Sequence, residues 1–414
     1  MNTKTINYFL STLAAIVLLT CRIIHPYGFQ GILSFDEITF DIIIILTLLL
    51  KGLKNNISKW LWFYFFYRYL NHLFYTRSIG AVFYPALWIT LLYFIVFFED
   101  IYLKQFIKYY KILALIVITF FYLQEFTFYT SGYRISGLIR GLPIYLNGVT
   151  DAKSYVDSLT YADRSASFFS EPAAFVQFLI PLLAILLFSD HQYKYKKGWI
   201  FLLIVTLLIA RSGNGLVGMA ILFLFYLYKI LYKTSIRIKI ISISSLCIIG
   251  FIALNLYIKS NVGEEMLERQ TEVTEMDESS SGFWRIFRGY FVFDEYTPIQ
   301  KIFGIDNYNI IEEKTLQSIV SAPNSHNNLY FNVMQSILLR TGYIGVFLFF
   351  MFIRSLWLKN DITGRAILMC FTAYMFLTSH YFTSTMIFYF TLAYKYQQQN
   401  KNIINSKKIK INNE

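Results

Sequence analysis

Long apolar runs separated by short polar connectors make up most of this chain. A helix of about 20 apolar residues crosses the hydrocarbon core of a bilayer. The pattern therefore predicts an all-α polytopic membrane protein, with residues 1–414 forming a single integral membrane domain. We expect about twelve transmembrane helices, near residues 6–24, 38–53, 58–75, 79–98, 109–128, 168–189, 198–211, 214–231, 238–258, 335–356, 364–379 and 381–396.

Two polar segments between these runs are long enough to carry function. They are a first long extracytoplasmic loop at 129–167 and a second at 259–334. Within the second loop, residues 283–293 are amphipathic enough to predict a helix that lies on the membrane face. Residues 397–414 form a basic tail, which we expect in the cytoplasm.

Composition and charge agree with a membrane location. The chain is 56% hydrophobic and 15% charged, far more apolar than an ordinary soluble domain. Its net charge of +12 comes from basic residues spread over short connectors, which favours topological anchoring over nucleic-acid binding. Both termini are then predicted to be cytoplasmic.

With that orientation, lysine and arginine are distributed unequally. The cytoplasmic segments hold 19 Lys and 3 Arg, whereas the remaining parts hold 4 Lys and 11 Arg. Arginine offers a planar fork of donors that suits phosphate and carboxylate oxygens, so the outer half is suited to holding an anion. The greater tolerance of arginine for burial and snorkelling is an alternative cause.

The segment RSASFFSEPA (164–173) lies where a polar segment ends and the long apolar run AAFVQFLIPLLAILLF begins. Pro172 disfavours helical geometry in the preceding residue and suits the first position of a helix, so Glu171 should occupy or precede the N-cap of the sixth span, at the outer interface. Glu171 is a candidate catalytic base. Two structural alternatives remain: it complements the helix dipole, or it pairs with Arg164.

A second motif, ARSGNG (210–215), follows an apolar run of only 12 residues at 199–210, about 18 Å of helix. Arg211 should therefore lie below the membrane surface, at a break between two short helices. An arginine at that depth is a functional candidate, and the alternative is a structural ion pair with Glu125 or Glu171.

Four further candidates come from the second loop and the span after it. His326, in PNSHNN, precedes the tenth span. The ordinary pKa of histidine is about 6.5, which suits proton transfer at neutral pH. Arg285 and Arg288 are three residues apart on one helical face and could clamp a diphosphate, or contact lipid headgroups. Arg340, at the start of RTGYIG, is a further candidate for diphosphate binding. The cysteines lie in apolar runs and predict no metal site, and no nucleotide-binding motif is present.

These segments resemble those of Wzy-type polysaccharide polymerases. RSASFFSEPAAFVQFL is similar to their Arg…Phe-x-Glu-Pro segment, and ARSGNGLVG to their helix break. RGYFVFDEYTPIQKIFGIDNYN and NSHNNLYFNVMQSILLRTGYIG resemble patterns that the polymerases share with O-antigen ligases. The resemblance covers residues 164–345 and departs from the Gly-x-Gly pattern at Gly304-Ile-Asp306.

The resemblance implies a glycosyltransferase without metal or cofactor. It would transfer a growing glycan from undecaprenyl diphosphate to a sugar hydroxyl of a lipid-linked repeat unit, on the outer face of the membrane. Carried over by position, Arg164, Arg211 and Arg288 bind the diphosphate, with Arg285 and Arg340 as further donors, and His326 or Glu171 is the base. Expected partners are the lipid-linked repeat units, the bilayer, and a chain-length regulator and flippase; nucleic acid is not expected. An O-antigen ligase is the nearest alternative, and a lipid-linked oligosaccharide flippase is an alternative of another class.

Overall fold

The computed structural model describes residues 3–29, 33–53, 57–76, 83–139, 141–145, 164–189, 195–232, 234–235, 255, 281–318, 331–379 and 381–412. At 281–285 and 402–412 it describes the backbone alone. The described residues are mostly helical, at 78%, with almost no sheet. The predicted all-α class is therefore confirmed at this level.

Helices overlap each predicted apolar run that falls in the described part of the chain, because these runs lack the Gly and Pro clusters that end helices. The run at 238–258 lies outside it, apart from residue 255. The elements are α1 (Thr3–Ile24), β1 (Gly28–Phe29), β2 (Leu33–Ser34), α2 (Phe35–Leu50), α3 (Lys59–Tyr75), α4 (Pro85–Asp100), α5 (Leu103–Ser131), α6 (Pro172–Phe188), α7 (Lys196–Ile209), α8 (Gly213–Leu231), α9 (Ser281–Asp294), α10 (Pro298–Phe303), α11 (Tyr308–Gln317), α12 (Val333–Lys359), α13 (Ile362–Tyr374) and α14 (Ser384–Asn412).

Four of the described helices are long and apolar enough to cross a membrane, judged by length and composition: α1, α5, α8 and α12. Helices α6 and α13 are apolar but shorter. Large apolar side chains stay exposed on helix surfaces, among them Leu49, Phe74 and Phe201. Such exposed apolar surface is compatible with contact to lipid. The total of about twelve spans remains a prediction.

Helix α6 occupies the centre of the fold. It packs against α5, α7, α8 and α13, and nearly every one of its residues is buried. Its sequence, PAAFVQFLIPLLAILLF, is apolar on all sides, and a helix of that kind is stable only when it is surrounded by other helices. The segment 164–171 therefore leads directly into the core.

Pro181 inside α6 is accommodated by tyrosines from neighbouring helices. Proline has no N–H, so the carbonyl of Gln177, four residues earlier, loses its helical partner. The hydroxyl of Tyr389 donates a hydrogen bond to this carbonyl at 2.7 Å. The hydroxyl of Tyr110 donates to the neighbouring carbonyl of Phe178. In an apolar interior such substitute donors keep a proline-containing helix intact.

The second long loop contains three helices within its described residues. Helix α9 confirms the amphipathic helix predicted at 283–293, whereas α10 and α11 were not predicted. Both have clear N-caps. Thr297 caps α10 and forms a capping box with Gln300, and Pro298 is the first helical residue. Asn307 caps α11. These helices enclose a second, smaller apolar core against α12, which includes Val292, Ile305 and Leu339.

Candidate functional site

Glu171 is the N-cap residue of α6, as the sequence predicts. Its backbone is extended, with φ −153° and ψ 154°, and Pro172 is the first helical residue. The Glu171 carbonyl accepts hydrogen bonds from the N–H groups of Ala174 and Phe175, at 3.1 and 3.3 Å. The Glu171 carboxylate interacts electrostatically with Arg22, in the last turn of α1. The helix start is confirmed, and Arg22 is a partner that the sequence did not indicate.

The break between α7 and α8 lies at Arg211, also as predicted. Helix α7 ends at Ile209 and α8 begins at Gly213. Arg211 has a φ of +46°, in the left-handed region that side chains other than glycine rarely adopt. Its guanidinium Nη2 donates to the hydroxyl of Tyr129 at 2.8 Å. A strained residue at a helix break is typical of a functional position.

The structure brings Arg164 and Arg211 together, although they are 47 residues apart in the chain. Nη1 of Arg164 donates a hydrogen bond to the backbone carbonyl of Arg211 at 2.8 Å. The segment that carries Arg164 is fixed against α5 by Gln124. The Oε1 atom of Gln124 accepts from the Ser167 N–H at 2.7 Å, and its Nε2 donates to the Ser167 carbonyl at 3.3 Å.

Arg134 belongs to the same group and was not singled out from the sequence. Its Nε donates to the hydroxyl of Ser165 at 2.9 Å, directly beside Arg164. Its Nη2 lies 3.5 Å from Oε1 of Glu125, and its guanidinium carbon lies 3.8 Å from the ring centre of Phe128. Glu125, a partner expected for Arg211, thus forms an ion pair with Arg134. Nothing in the local sequence distinguishes Arg134 from its neighbour Arg140.

A cavity of about 40 Å³ lies at this meeting point. Its volume is that of roughly three water molecules. We call it the arginine cavity; it is lined by Gln124, Arg134, Gly137, Leu138, Arg164, Ser165, Ala166, Ser167, Phe169, Ser170 and Pro172. Guanidinium and hydroxyl donors dominate the polar part of this lining. Such donors suit an anion with several oxygens, such as a phosphate ester.

Arg340 lies in a different group, centred on Asp306. Oδ2 of Asp306 accepts from Nε of Arg68 at 2.9 Å, and its Oδ1 lies 3.4 Å from Nη1 of Arg340. The Asp306 side chain is almost fully buried, at 1% exposure. Asn71 donates to the carbonyls of Phe303 and Arg340, at 2.7 and 2.8 Å. We call these residues the Asp306 cluster; its two arginines share one buried carboxylate.

Two glycines allow the Asp306 cluster to form. Gly304 has a φ of +77°, and Gly342, where the backbone of α12 departs from helical geometry, has a φ of +57°. A Cβ atom on either residue would collide with the backbone of the other. The close approach lets the Ile305 N–H donate to the carbonyl of Leu339 at 2.8 Å. The departure from the Gly-x-Gly pattern at Gly304-Ile-Asp306 therefore has a structural reason, since Asp306 supplies the carboxylate that Arg68 and Arg340 share.

The remaining predicted residues lie elsewhere or outside the described residues. Arg288 is buried in α9, which packs on α12 where Gly289 meets Gln335. This burial lowers the pKa of the Arg288 guanidinium below its ordinary value. Arg285 lies on the same helix, but its side chain is outside the described residues, so the proposed clamp stays a prediction. His326 also lies outside the described residues.

The described part of the chain does not indicate a metal site. Among the residues that the structure describes, no three His, Cys, Asp or Glu side chains are grouped to hold a metal ion. The candidate site therefore consists of the arginine cavity, with Arg211 behind it and Glu171 at its edge.

No protein-family model matches the chain, and no curated protein matches its sequence.

Proposed function

We propose that this protein is a polysaccharide polymerase of the membrane. It transfers a growing glycan from undecaprenyl diphosphate to a sugar hydroxyl of a lipid-linked repeat unit. The observation that carries the proposal is the meeting of Arg134, Arg164 and Arg211 at one segment, RSASFFSEPA, at the start of the central helix. Two guanidiniums that line one cavity, with Arg211 bonded to one of them through its carbonyl, fit a substrate that carries a diphosphate.

The chemistry explains why arginines are needed there. Transfer breaks the bond between the anomeric carbon and the diphosphate oxygen, so negative charge develops on the leaving group. Preorganised donors that face this charge stabilise the transition state more than the ground state. Arg134 and Arg164 line the arginine cavity, and Arg211 supports Arg164 through its carbonyl. Arg288 is a further donor in this proposal, whereas Arg340 serves the Asp306 cluster.

The proposal includes a topology. About twelve helices span a bacterial inner membrane, both termini are cytoplasmic, and the arginine cavity faces outward. Support comes from the apolar helices and from the lysine-rich connectors. Cysteines introduced at positions 150 and 320 should react with membrane-impermeant reagents added to intact cells, and a cysteine at position 196 should not. The reverse labelling pattern would overturn the assignment of the site to the outer face.

Substitution of the arginines tests the function. We expect Arg164→Ala, Arg211→Ala and Arg288→Ala each to abolish chain extension in cells, measured as loss of the glycan ladder, while single repeat units still reach the surface. Arg354→Ala is the matched control, because Arg354 is exposed on α12 and has no part in the proposed site. Normal long-chain glycan in all three variants would rule out the diphosphate role.

The same experiment separates the two alternatives. Loss of a ligase leaves long chains on the lipid carrier that are not transferred to a final acceptor. Loss of a flippase keeps single repeat units inside the cell. Loss of a polymerase alone leaves single units outside and no long chains, so gel analysis of surface and carrier-linked glycan distinguishes the three.

A further inference from the structure

One pair of titratable side chains, His25 and Asp36, has no role in the proposed function so far. His25, in the turn after α1, contacts Asp36 in the first turn of α2. Nδ1 of His25 lies 3.0 Å from Oδ1 and 3.1 Å from Oδ2 of Asp36. Ser34 donates its hydroxyl to Oδ1 of the same carboxylate at 2.5 Å. Asp36 is buried, and the imidazole of His25 is 47% exposed.

This geometry orients the imidazole. Burial alone would raise the pKa of Asp36, but the hydrogen bonds from His25 and Ser34 and the charge of Arg22 lower it below its ordinary value. An ionised carboxylate only accepts hydrogen bonds, so Nδ1 of His25 must carry the proton that it donates. In the neutral ring, Nε2 then keeps its lone pair. A histidine held in this way by a carboxylate is arranged to accept a proton at Nε2.

The backbone joins this pair to the arginine cavity. The hydroxyl of Tyr27, two residues after His25, accepts a hydrogen bond from the Ile139 N–H at 2.6 Å. The Gly28 N–H donates to the carbonyl of Pro143 at 3.0 Å, and Tyr27 forms a β-bridge with Ile144. Leu138, next to Ile139, lines the arginine cavity. The residues that follow His25 are therefore bonded to the segment 139–144, which continues from the cavity-lining residue Leu138.

Charge interactions join the two places as well. Arg22 lies in the last turn of α1, three residues before His25. The Arg22 guanidinium interacts electrostatically with Glu171 and with Asp36. Arg22 therefore interacts both with the carboxylate at the N-cap of α6 and with the carboxylate that holds His25. Glu171 is engaged by an arginine, whereas His25 has an accessible ring.

We propose that His25, positioned by Asp36, is the base that accepts the proton of the attacking sugar hydroxyl. This inference rests on the proposed polymerase function. As Nε2 takes the hydroxyl proton, the hydroxyl oxygen forms a bond to the anomeric carbon of the donor glycan. The bond between that carbon and the diphosphate oxygen breaks, and its electron pair leaves with undecaprenyl diphosphate. The imidazolium then gives its proton to water, which restores the base.

Purified full-length protein in lipid vesicles, supplied with lipid-linked repeat units, allows the test. The readouts are the initial rate of chain extension and the binding of undecaprenyl diphosphate. We expect His25→Ala to extend chains about 10²- to 10⁴-fold more slowly, the range for loss of a general base, with unchanged binding of the lipid diphosphate. Added imidazole should restore part of the rate. Asp36→Asn should also slow extension, by about tenfold or more, because it disturbs the tautomer.

Matched variants separate this inference from the function on which it rests. His72→Ala removes another histidine, one that contacts the backbone of Asp306, and imidazole should leave its rate unchanged. If His25→Ala does not fold, His25→Gln keeps a donor for Asp36 and should fold but stay slow.

Full activity of folded His25→Ala or His25→Gln, with Arg164→Ala inactive, overturns the role of His25 and leaves the proposed function standing. A slow His25→Ala that has also lost lipid binding, and does not respond to imidazole, overturns the role as well. Absence of extension by the wild-type protein overturns both.

Discussion

The arginine cavity and the Asp306 cluster use the same side chain in different surroundings. In the cavity, Arg134 and Arg164 line an open volume, and Arg134 forms an ion pair with Glu125 at 3.5 Å. In the cluster, Arg68 and Arg340 both contact one buried carboxylate, on Asp306. The first arrangement includes a cavity beside its arginines, whereas in the second both arginines contact the same buried carboxylate.

The comparison of the cavity with the cluster shows that an arginine in an apolar protein is not by itself evidence of a ligand site. Arg340 was a candidate for diphosphate binding on the basis of sequence, yet it contacts Asp306 where α10, α12 and α3 meet. Removing one member of a buried ion pair leaves an uncompensated charge, which makes such clusters structurally important. The following predictions test the distinction, from the largest expected effect to the smallest.

The largest effect should come from the carboxylate of the Asp306 cluster. Asp306→Asn leaves two guanidiniums without their shared negative charge, and we expect it to lower the free energy of unfolding by about 3–5 kcal/mol. Thermal unfolding in detergent measures this. Asp294→Asn is the matched control, because Asp294 is 76% exposed and lies 3.8 Å from Lys301; its change should stay within about 0.5 kcal/mol. Equal stability of the two variants would contradict a structural role for Asp306.

Inorganic pyrophosphate should distinguish the two groups of arginines directly. At a concentration of about 100 times its Kd, a ligand raises the free energy of unfolding by about 2.7 kcal/mol. We expect pyrophosphate to stabilise the wild-type protein and Arg340→Ala, but not Arg164→Ala, in a thermal-shift measurement. Loss of the effect in Arg340→Ala, with the effect kept in Arg164→Ala, would reverse the assignment.

Gly342→Ala should destabilise the protein by about 2–3 kcal/mol. The new Cβ meets the backbone of Ile302 and Gly304, and a φ of +57° is strained for alanine. Gly132→Ala serves as the control, since Gly132 has a φ of +70° and nothing within 4 Å of the added Cβ. The control isolates the cost of the left-handed backbone for alanine, about 1–2 kcal/mol. If both variants lose the same stability, the close approach of the two glycines contributes nothing.

The smallest change in stability should come from Arg211→Gly. Glycine relieves the strain at φ +46°, while the hydrogen bond to Tyr129 is lost and the unfolded chain gains freedom. These effects offset one another, so we expect a net change within about 1 kcal/mol. Chain extension should nevertheless be abolished. An active Arg211→Gly protein would show that the guanidinium is dispensable.

The sequence predicted local features well. The length of each apolar run located the helices, and the run at 199–210 located the break at Arg211. Pro172 located the N-cap of α6 at Glu171, because its ring restricts the residue before it and suits a first helical turn. Each of these features depends on a few neighbouring residues, so the pattern along the chain contains the information.

The partners of the charged residues depended on the tertiary structure. Arg164 meets Arg211 across 47 residues, and Arg68 meets Asp306 across 238. Arg134 and His25 gained significance only when Ser165 and Asp36 were placed beside them. Helix packing decides such contacts, and many packings satisfy the same apolar pattern. By itself the sequence determined that this is a largely helical chain with apolar helices, a proline-defined start of α6 and a break at Arg211. Only the tertiary structure decided which arginines face a cavity and which face Asp306, because that depends on contacts between helices far apart in the chain.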